Sequence, residues 1–361
     1  MQAPAMLQAA SPRDTADAVR SAPRVIPIGA GTKPRLSLAG AVRVCTRSLR
    51  GIVEYEPSEF TFTALAGTPI RDLASALSAK GQYLPFDPMF AEAGATLGGA
   101  VASGLNGPGR FRFGGIRDFI LGVQFVDGAG RLLRMGGKVV KNAAGFDLPK
   151  FFTGSLGRFG VLTEITFKVF PQPASRLTLK LEAATAEEAI KIMGSTARSR
   201  WEPDALDWLP AEAAVLLRLA GPEASLLTIS QEILARWPGR RFEADLAENM
   251  WRSLRECTWA STDATLVKVP CSLACIPAVV RGLKAIPDSR MHVSAGGNVA
   301  FVSVTAGAVE SLDRVLSELK LTGMIFRGDG PLWLGNVARS QIEEGVKQAL
   351  DAENRFPSLH D

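Results

Sequence analysis

Histidine is scarce in this chain of 361 residues: there are two, His292 and His360. Two histidines are too few for an active site built from several histidines or for a multi-histidine metal site, so both are excluded. The four cysteines form no disulfide framework, and Cys271 and Cys275 have a spacing that suits zinc poorly without further ligands. The cysteines also lack iron–sulfur cluster spacing. The sequence predicts no metal site.

Long apolar runs and concentrated charge are lacking too. No run approaches the roughly 20 apolar residues that span a bilayer, and no basic leader precedes an apolar core, so no signal peptide is predicted. The net charge is +5, with Lys and Arg scattered along the chain. A scattered excess favours a solvated surface over a nucleic-acid groove. These absences predict a cytoplasmic protein that binds no nucleic acid.

The length of the chain and the change in its residue pattern along the sequence predict two α+β domains. A chain of 361 residues is too long for one compact core. The first half is rich in strands and glycine, and it closes near Pro171 and Pro173, which places the boundary between domains 1–173 and 174–361. In the second half strands alternate with helices, which predicts helices on one face of a sheet.

Three local signals predict individual elements. Thr68 is expected to cap a helix that continues through Pro69. The residues from Asp127 to Gly130 are expected to form the turn of a β-hairpin. Thr185 and Glu188 have the spacing of a capping box at the start of a helix.

Glycine is abundant, and three glycine-rich segments lie in the first half. The first is "PIGAGT", residues 27–32, whose backbone amides can form a nest for phosphate oxygens. It is not a Rossmann fingerprint, because the third glycine would fall at Pro34. A Walker-type phosphate loop is excluded as well, because Lys138 is followed by Val139 rather than by Ser or Thr.

The second segment is "EAGATLGGAVASGLNGPG", residues 92–109. Thr96 is expected to cap a short helix whose small residues let an anion approach its free amides. Close helix packing is the alternative interpretation. It explains less well why glycine also stands at positions 104, 107 and 109, so ligand contact is favoured.

The third segment, "GSLGRFGVLTE", begins at Gly154. It is not a serine nucleophile elbow, because Thr153 stands where the pattern needs glycine, and no nearby histidine supplies a base. The first-half carboxylates are interpreted as turn, cap or loop braces rather than acid catalysts. The sequence thus has three glycine-rich segments able to bind a ligand through their backbone, but no predicted metal site and no predicted nucleophile. This combination favours a large phosphate-bearing cofactor that supplies the reactive group itself.

In this order the segments "PIGAGT", "GATLGGAVASG" and "FGGIRDFILGVQFVDGAGRLLRMGGKVVKNAAGFDLPKFFTGSLGRFGVLTEI" resemble the FAD-binding domain of the vanillyl-alcohol oxidase (PCMH-type) flavoproteins. The match covers about residues 25–173. Within that superfamily the chain resembles the FAD-binding subunits of bacterial glycolate oxidases. The resemblance implies a PCMH-type FAD-binding domain of two α+β subdomains, followed by a smaller α+β, ferredoxin-like domain of the FAD-linked oxidase C-terminal type.

The resemblance also assigns FAD-binding residues. The pyrophosphate loop would be Ile28, Gly29, Ala30, Gly31, Thr32 and Lys33. The pyrophosphate and ribityl chain would be lined by Gly94, Ala95, Thr96, Gly98, Gly99, Ser103 and Gly104. The loop under the flavin would be fixed by Arg117 and Asp118, and backbone beside the adenine or isoalloxazine would come from Gly160, Val161 and Ile165. Neighbours of the flavin or substrate would be Lys138, Lys141, Asn142 and Asp147.

The departures from the family pattern shape the expected chemistry. Some relatives bind flavin through a histidine, and the first half has none, so FAD is expected to be noncovalent. Leu156 replaces the glutamate of the "GSEGTLG" carried by relatives that oxidise 2-hydroxy acids. Those relatives also carry a His-x-Gly-Asp-Gly-Asn-x-His motif, whereas "HVSAGGNVAF" keeps only His292. His292 is interpreted as a structural histidine, and no catalytic residue is identified.

The resemblance implies oxidation of glycolate to glyoxylate in a complex with a sister FAD subunit and an iron–sulfur subunit. It allows peripheral association with the membrane through that complex. Two alternatives stay open. One is a self-sufficient, D-lactate-like dehydrogenase that clamps a small 2-hydroxy acid with Lys or Arg. The other is an accessory subunit that holds FAD without a substrate site of its own.

Overall fold

The computed structural model describes residues 6–38, 40–137, 147–338 and 340–361. Its strands are β1 (Met6–Gln8), β2 (Val25–Ile28), β3 (Val42–Cys45), β4 (Ile52–Glu56), β5 (Thr61–Leu65), β6 (Gln82–Tyr83), β7 (Ile120–Val126), β8 (Leu132–Gly136), β9 (Val161–Lys168), β10 (Phe170–Pro171), β11 (Ser175–Glu182), β12 (Ala205–Leu209), β13 (Ala214–Gly221), β14 (Gly239–Phe242), β15 (Thr265–Pro270), β16 (Arg290–Ser294), β17 (Val299–Val304), β18 (Thr322–Arg327) and β19 (Trp333–Gly335).

Its α-helices are α1 (Pro12–Ser21), α2 (Ile70–Ser78), α3 (Leu97–Ser103), α4 (Arg110–Phe113), α5 (Ile116–Phe119), α6 (Leu148–Phe151), α7 (Ala186–Ala197), α8 (Glu223–Arg236), α9 (Ala244–Glu256), α10 (Ile276–Leu283), α11 (Val309–Glu318) and α12 (Gln341–Leu350). They accompany sheets made mostly of antiparallel strands. The predicted α+β class is confirmed.

The chain divides into two compact units. Unit 1 contains the described residues of Met1–Asn106, Gly115–Gln172 and Ala338–Asp361. Unit 2 contains Gly107–Gly114 and Pro173–Val337. The sequence prediction placed residues 338–361 in the second domain, whereas in the structure they belong to unit 1. The assignment of separate roles to 1–173 and 174–361 stays a prediction.

Contacts with the start of β2 explain why the C-terminal segment belongs to unit 1. The amide of Val25 donates a 2.7 Å hydrogen bond to the carbonyl of Arg355. The Lys347 ammonium donates to the carbonyls of Arg158 at 2.9 Å and Phe356 at 2.7 Å. Val25 is far from Arg355 in the sequence, and Lys347 is far from Arg158, so local patterns gave no sign of the arrangement.

Unit 1 is built on two main sheets. The first is a parallel sheet in the order β1-β3-β2. The second is an antiparallel sheet in the order β4-β5-β9-β7-β8. The predicted hairpin is confirmed: β7 pairs with β8, and the Asp127 carboxylate accepts a 2.8 Å hydrogen bond from the amide of Arg131 in the turn.

Unit 2 is built on one antiparallel sheet in the order β14-β11-β13-β12-β16-β17-β15-β18-β19. Alternate residues of a strand face opposite sides of a sheet. Leu179 and Leu181 of β11 therefore join the core beneath α7, α8, α10 and α11. Thr178, directly before Leu179, faces the other side and accepts a 3.0 Å hydrogen bond from the Trp251 indole of α9. The prediction of helices on one face is wrong, because α9 covers part of the second.

The predicted helix caps have mixed outcomes. The capping box is confirmed, with bonds of 3.2 Å to the Thr185 hydroxyl and 3.0 Å to the Glu188 carboxylate. Thr96 caps α3 by accepting from the amide of Gly99 at 3.3 Å. The Thr68 cap is wrong, because its hydroxyl donates to the carbonyl of Leu65 at 2.7 Å. Helix α2 starts one residue after Pro69 instead.

A candidate cofactor cleft in unit 1

A cleft with about 690 Å³ of empty space opens in unit 1. Three backbone segments form most of its wall: the loop after β2, helix α3, and the stretch that leads into β9. These are the three glycine-rich segments of the sequence, which the fold brings together.

The loop after β2 presents free amides to the cleft. The carbonyl of Ile28, the last residue of β2, accepts a 2.9 Å hydrogen bond from the amide of Thr46. Beyond it, the amides of Ala30, Gly31 and Thr32 donate no backbone hydrogen bond within the described residues. Gly31 has φ +73°, a left-handed conformation that glycine adopts without steric cost. Successive free amides of this kind suit an anion.

Lys33 adds a positive charge to the same loop. Its side chain lies in the cleft wall and is largely buried. Its ammonium donates a 3.0 Å hydrogen bond to the Thr32 hydroxyl and lies 5.4 Å from the centre of the Phe90 ring. A lysine beside free amides is chemically suited to the phosphate groups of a nucleotide.

Helix α3 contributes close packing rather than free amides. Its first amides, from Leu97, Gly98 and Gly99, donate to the Thr68 carbonyl at 2.9 Å, the Ala66 carbonyl at 2.7 Å and the Thr96 hydroxyl at 3.3 Å. The prediction that an anion approaches free amides here is therefore wrong.

Contacts of the glycines show what α3 needs instead. A Cβ atom added at Gly29 would lie 2.3 Å from the Thr96 hydroxyl oxygen, and one at Gly98 would lie 2.9 Å from the Cβ atom of Ala66. Such distances are too short for real side chains. These glycines let the loop after β2, helix α3 and the residue after β5 approach one another.

The third segment lies along the C-terminal end of α3. The amides of Gly154 and Leu156 donate to the carbonyls of Val101 at 2.9 Å and Ala102 at 2.8 Å. Between them, the Ser155 hydroxyl is buried in the cleft wall and has no hydrogen-bond partner in the described part of the chain. Buried hydroxyls normally have a partner. The cleft therefore fits a ligand with polar groups, as FAD has.

The structure brings most of the predicted cofactor residues together. The cleft wall includes Ile28, Gly29, Ala30, Gly31, Thr32, Lys33, Thr96, Gly98, Gly99, Ser103 and Gly160. Gly94 and Ala95 precede α3, and Gly104 ends it. Val161 and Ile165 are buried in β9. The roles assigned to all these residues stay predictions.

Arg117, Asp118 and Asp147 are not part of the cleft wall. Arg117 and Asp118 are exposed on α5, where the Asp118 carboxylate accepts from the amide of Gly115 at 2.8 Å. Asp147 caps the start of α6, and its carboxylate pairs with the Lys150 ammonium at 2.7 Å. Burial raises the pKa of Asp147, but hydrogen bonds from Lys150 and the charges of Lys150 and Arg117 outweigh it and lower the pKa. Three further predicted residues fall outside the described ranges, namely Lys138, Lys141 and Asn142.

Sequence reasoning missed part of the wall. The unassigned lining residues are Pro27, Leu36, Ser37, Thr46, Ala66, Ala102, Ser155, Leu156, Gly157 and Leu162. The glycine pattern around Gly157 was a usable signal. The three glycine-rich segments also contain Pro27, Ala102, Ser155, Leu156 and Leu162, whereas tertiary contacts bring in Leu36, Ser37, Thr46 and Ala66. Lys33 is the one titratable side chain among the described residues that line the cleft, so the wall offers no carboxylate, imidazole or thiol as a base.

A second cavity, with about 1040 Å³ of empty space, lies within unit 2. Its wall includes Trp259, Arg290 and His292 among apolar side chains. Nε2 of His292 lies 2.7 Å from the Asp207 carboxylate, which also accepts from the Ser294 hydroxyl at 2.8 Å. Nδ1 of His292 has no partner among the residues described. His292 is thus buried, as the sequence predicted, and is held by a carboxylate.

Among the described residues, no group of three or more His, Cys, Asp or Glu side chains is placed to hold a metal ion. None of the helices described combines the length and the apolar character needed to cross a membrane.

Comparison with known proteins identifies the kind of domain that forms the cleft. Residues 3–136 match the model of a family described as "FAD binding domain". The described chain also resembles the solved structure of an alkyldihydroxyacetonephosphate synthase, with a TM-score of 0.69 and 16% identity over 97% of this chain and 75% of that one. At this identity the likeness shows the fold alone. The chain carries an FAD-binding domain, and the prediction of FAD as cofactor is confirmed.

Particular relatives narrow the class. The chain is 40% identical over 216 residues to glycolate oxidase subunit GlcE of Escherichia coli (strain K12), covering 58% of this chain and 57% of that one. It is 28% identical over 188 residues to glycolate oxidase subunit GlcD of Bacillus subtilis (strain 168), covering 51% and 40%. It is 28% identical over 180 residues to a D-lactate dehydrogenase of Anaerostipes hadrus, covering 50% and 38%. The chain thus spans less than two thirds of these relatives. The predicted resemblance is confirmed.

Proposed function

We propose that the chain is the FAD-binding subunit of a glycolate (2-hydroxy acid) dehydrogenase complex. In that reaction glycolate loses two electrons and two protons and becomes glyoxylate. The main support is that 40% identity to a glycolate oxidase subunit accompanies a cleft formed by the three glycine-rich segments. The proposed partners are a sister FAD subunit and an iron–sulfur subunit. We place the complex in the cytoplasm, in peripheral contact with the membrane.

FAD, when bound, supplies the electron acceptor, and the residues of the chain bind and orient it. The amides of Ala30, Gly31 and Thr32, with Lys33, would hold its phosphate groups. The Ser155 hydroxyl would gain the hydrogen-bond partner it lacks. The described wall provides no carboxylate, imidazole or thiol as a base. This composition favours a subunit that holds FAD for electron transfer while the sister subunit oxidises the substrate.

A self-sufficient 2-hydroxy acid dehydrogenase is the second candidate, and one observation favours it. Asp207 holds His292 at 2.7 Å in the wall of the unit 2 cavity, with Nδ1 lacking a hydrogen-bond partner in the described part. A histidine oriented by a carboxylate is the arrangement of a general base. Arg290 in the same wall supplies a cation for a carboxylate.

Anaerobic spectra of the full chain test the proposed function. The isolated chain is expected to be yellow and to stay oxidised with glycolate and with D-lactate. After addition of the sister subunits, glycolate is expected to bleach the flavin. Bleaching of the isolated chain by either acid would instead establish the self-sufficient dehydrogenase. A chain whose flavin stays oxidised even in the assembled complex would contradict both candidates.

His292→Gln separates the two candidates within the complex. The proposed function predicts glycolate turnover within about threefold of wild type, because substrate is oxidised in the sister subunit. A general base contributes about 10²–10⁴-fold, so a loss of that size would favour the second candidate. The matched variant Ser294→Ala removes another hydrogen bond to Asp207 but leaves the imidazole in place. Equal losses in both variants would indicate disturbed packing rather than a missing base.

A further inference from the structure

Arg158 has a fully buried guanidinium that lacks a hydrogen-bond partner among the described residues. Its exposed fraction is 0%, and Nε, Nη1 and Nη2 all lack a partner in the described part of the chain. Burial lowers the pKa of its guanidinium to about 10, so it is still charged at neutral pH. Buried charges are normally paired, because removing a charge from water is costly. An anion that pairs with this arginine is therefore expected.

The charges around Arg158 do not supply that anion. The negative charge of Asp361 raises the pKa of Arg158, whereas the positive charges of Arg35 and Arg24 lower it. Asp361 is already engaged, since it forms an ion pair with Arg24. Lys347 donates to the backbone carbonyl of Arg158 at 2.9 Å, but its own charge is paired with the carboxylate of Asp351 at 2.7 Å. Positive charge is in excess at this position.

Arg158 belongs to a segment that lines the cofactor cleft. Ser155, Gly157 and Gly160 on either side of it lie in the cleft wall. Arg35 belongs to the turn Pro34–Ser37, and the last two residues of that turn also line the cleft. Neither arginine lines the cleft itself: the buried guanidinium of Arg158 lies behind the wall, three residues after Ser155, whose buried hydroxyl also lacks a partner among the described residues.

We propose that Arg158 supplies the counter-charge for the phosphate groups of FAD. Two phosphates carry the negative charge that this position lacks, and a buried cation behind the wall attracts them across the low-dielectric protein interior. The inference depends on FAD binding in the cleft and is independent of the identity of the substrate or the partner subunits. It predicts that the same arginine destabilises the flavin-free chain and stabilises the loaded one.

Arg158→Met in the full chain tests the proposal through ligand affinity. Calorimetric titration of the flavin-free protein compares FAD, ADP and riboflavin, which separates the phosphate-bearing half from the flavin half. Attraction between unit charges across a thin layer of protein accounts for about a 10- to 100-fold change in affinity. Affinities for FAD and ADP are expected to fall by this factor, and the affinity for riboflavin is expected to stay within about threefold. Adenosine, which has no phosphate, is expected to behave like riboflavin.

Thermal unfolding of the flavin-free variants gives an independent readout. Arg158→Met is expected to unfold at the same temperature as wild type or higher, because an uncompensated buried charge is removed. The matched control is Arg218→Met, since Arg218 is buried but forms a 2.6 Å bond to Asp204. The control is expected to unfold at a lower temperature and to bind ADP normally.

Several results would overturn the proposal. An ADP affinity that changes less than threefold would show that Arg158 is not the counter-charge of the phosphates. Adenosine and riboflavin affinities that fall as much as the ADP affinity would show the same. A lower unfolding temperature with unchanged ADP affinity would make it a structural partner of Asp361. If Arg158→Met does not fold, the wild-type chain still decides: ADP is expected to bind at least about 100-fold more tightly than adenosine, and equal affinities would contradict the proposal.

Discussion

Replacement of Gly157 by alanine is expected to abolish FAD retention and to lower the free energy of unfolding by about 2–5 kcal/mol. Gly157 has φ +72°, a conformation that is strained for alanine. An added Cβ atom would also lie 2.3 Å from Cγ of Pro27, a rigid ring on β2 directly before the loop of free amides. The loop or the segment must move, and both line the cleft. Flavin absorbance per chain and urea unfolding measure the two effects.

Gly154→Ala is the matched control for this prediction. Gly154 has φ +83°, but nothing lies within 4 Å of a Cβ atom added there. It tests backbone strain without the steric overlap, so we expect a loss of about 1–2 kcal/mol with FAD retained. Equal flavin content in the two variants would show that the contact between Gly157 and Pro27 does not set the geometry of the cleft.

Arg218→Met is expected to lower the free energy of unfolding by about 3–5 kcal/mol. Arg218 lies on β13 with a 4% exposed side chain, and its Nε atom is 2.6 Å from the carboxylate of Asp204. The guanidinium also stacks 5.1 Å from the Trp251 ring of α9. Removing it deprives a buried carboxylate of its hydrogen-bonded counter-charge and removes a packing contact. Urea unfolding of the full chain measures the loss.

Arg176→Met provides the comparison, since Arg176 also approaches Asp204, at 3.7 Å, but its side chain is 40% exposed. Solvent screens such a pair, and we expect a loss of less than about 1 kcal/mol. Similar losses in the two variants would contradict the assignment of the buried pair as the stabilising one.

The features predicted correctly from the sequence were those that depend on residues close together in the chain. A capping box joins residues three apart, so Thr185 and Glu188 identify a helix start without knowledge of the fold. The turn at Asp127 likewise depends on neighbours in the chain. The glycine spacing of "PIGAGT" predicted a phosphate-binding loop, and the free amides after Ile28 agree with that interpretation.

The features that the sequence did not predict depend on contacts between residues far apart in the chain. The free amides expected at α3 are occupied because the carbonyls of Thr68 and Ala66 reach them from the end of β5. Arg158 has the sequence appearance of a surface residue, and its burial becomes visible only in the assembled unit 1. Hydrogen bonds and burial across such separations carry no periodicity that a sequence pattern could reveal.

The most direct test of the account is the flavin content of the full chain after incubation with FAD and removal of the excess. The account predicts stoichiometric FAD that is released into solution when the protein is denatured, since the first half has no histidine for a covalent bond. A chain that stays colourless with FAD present, or flavin that stays with the denatured protein, would contradict it.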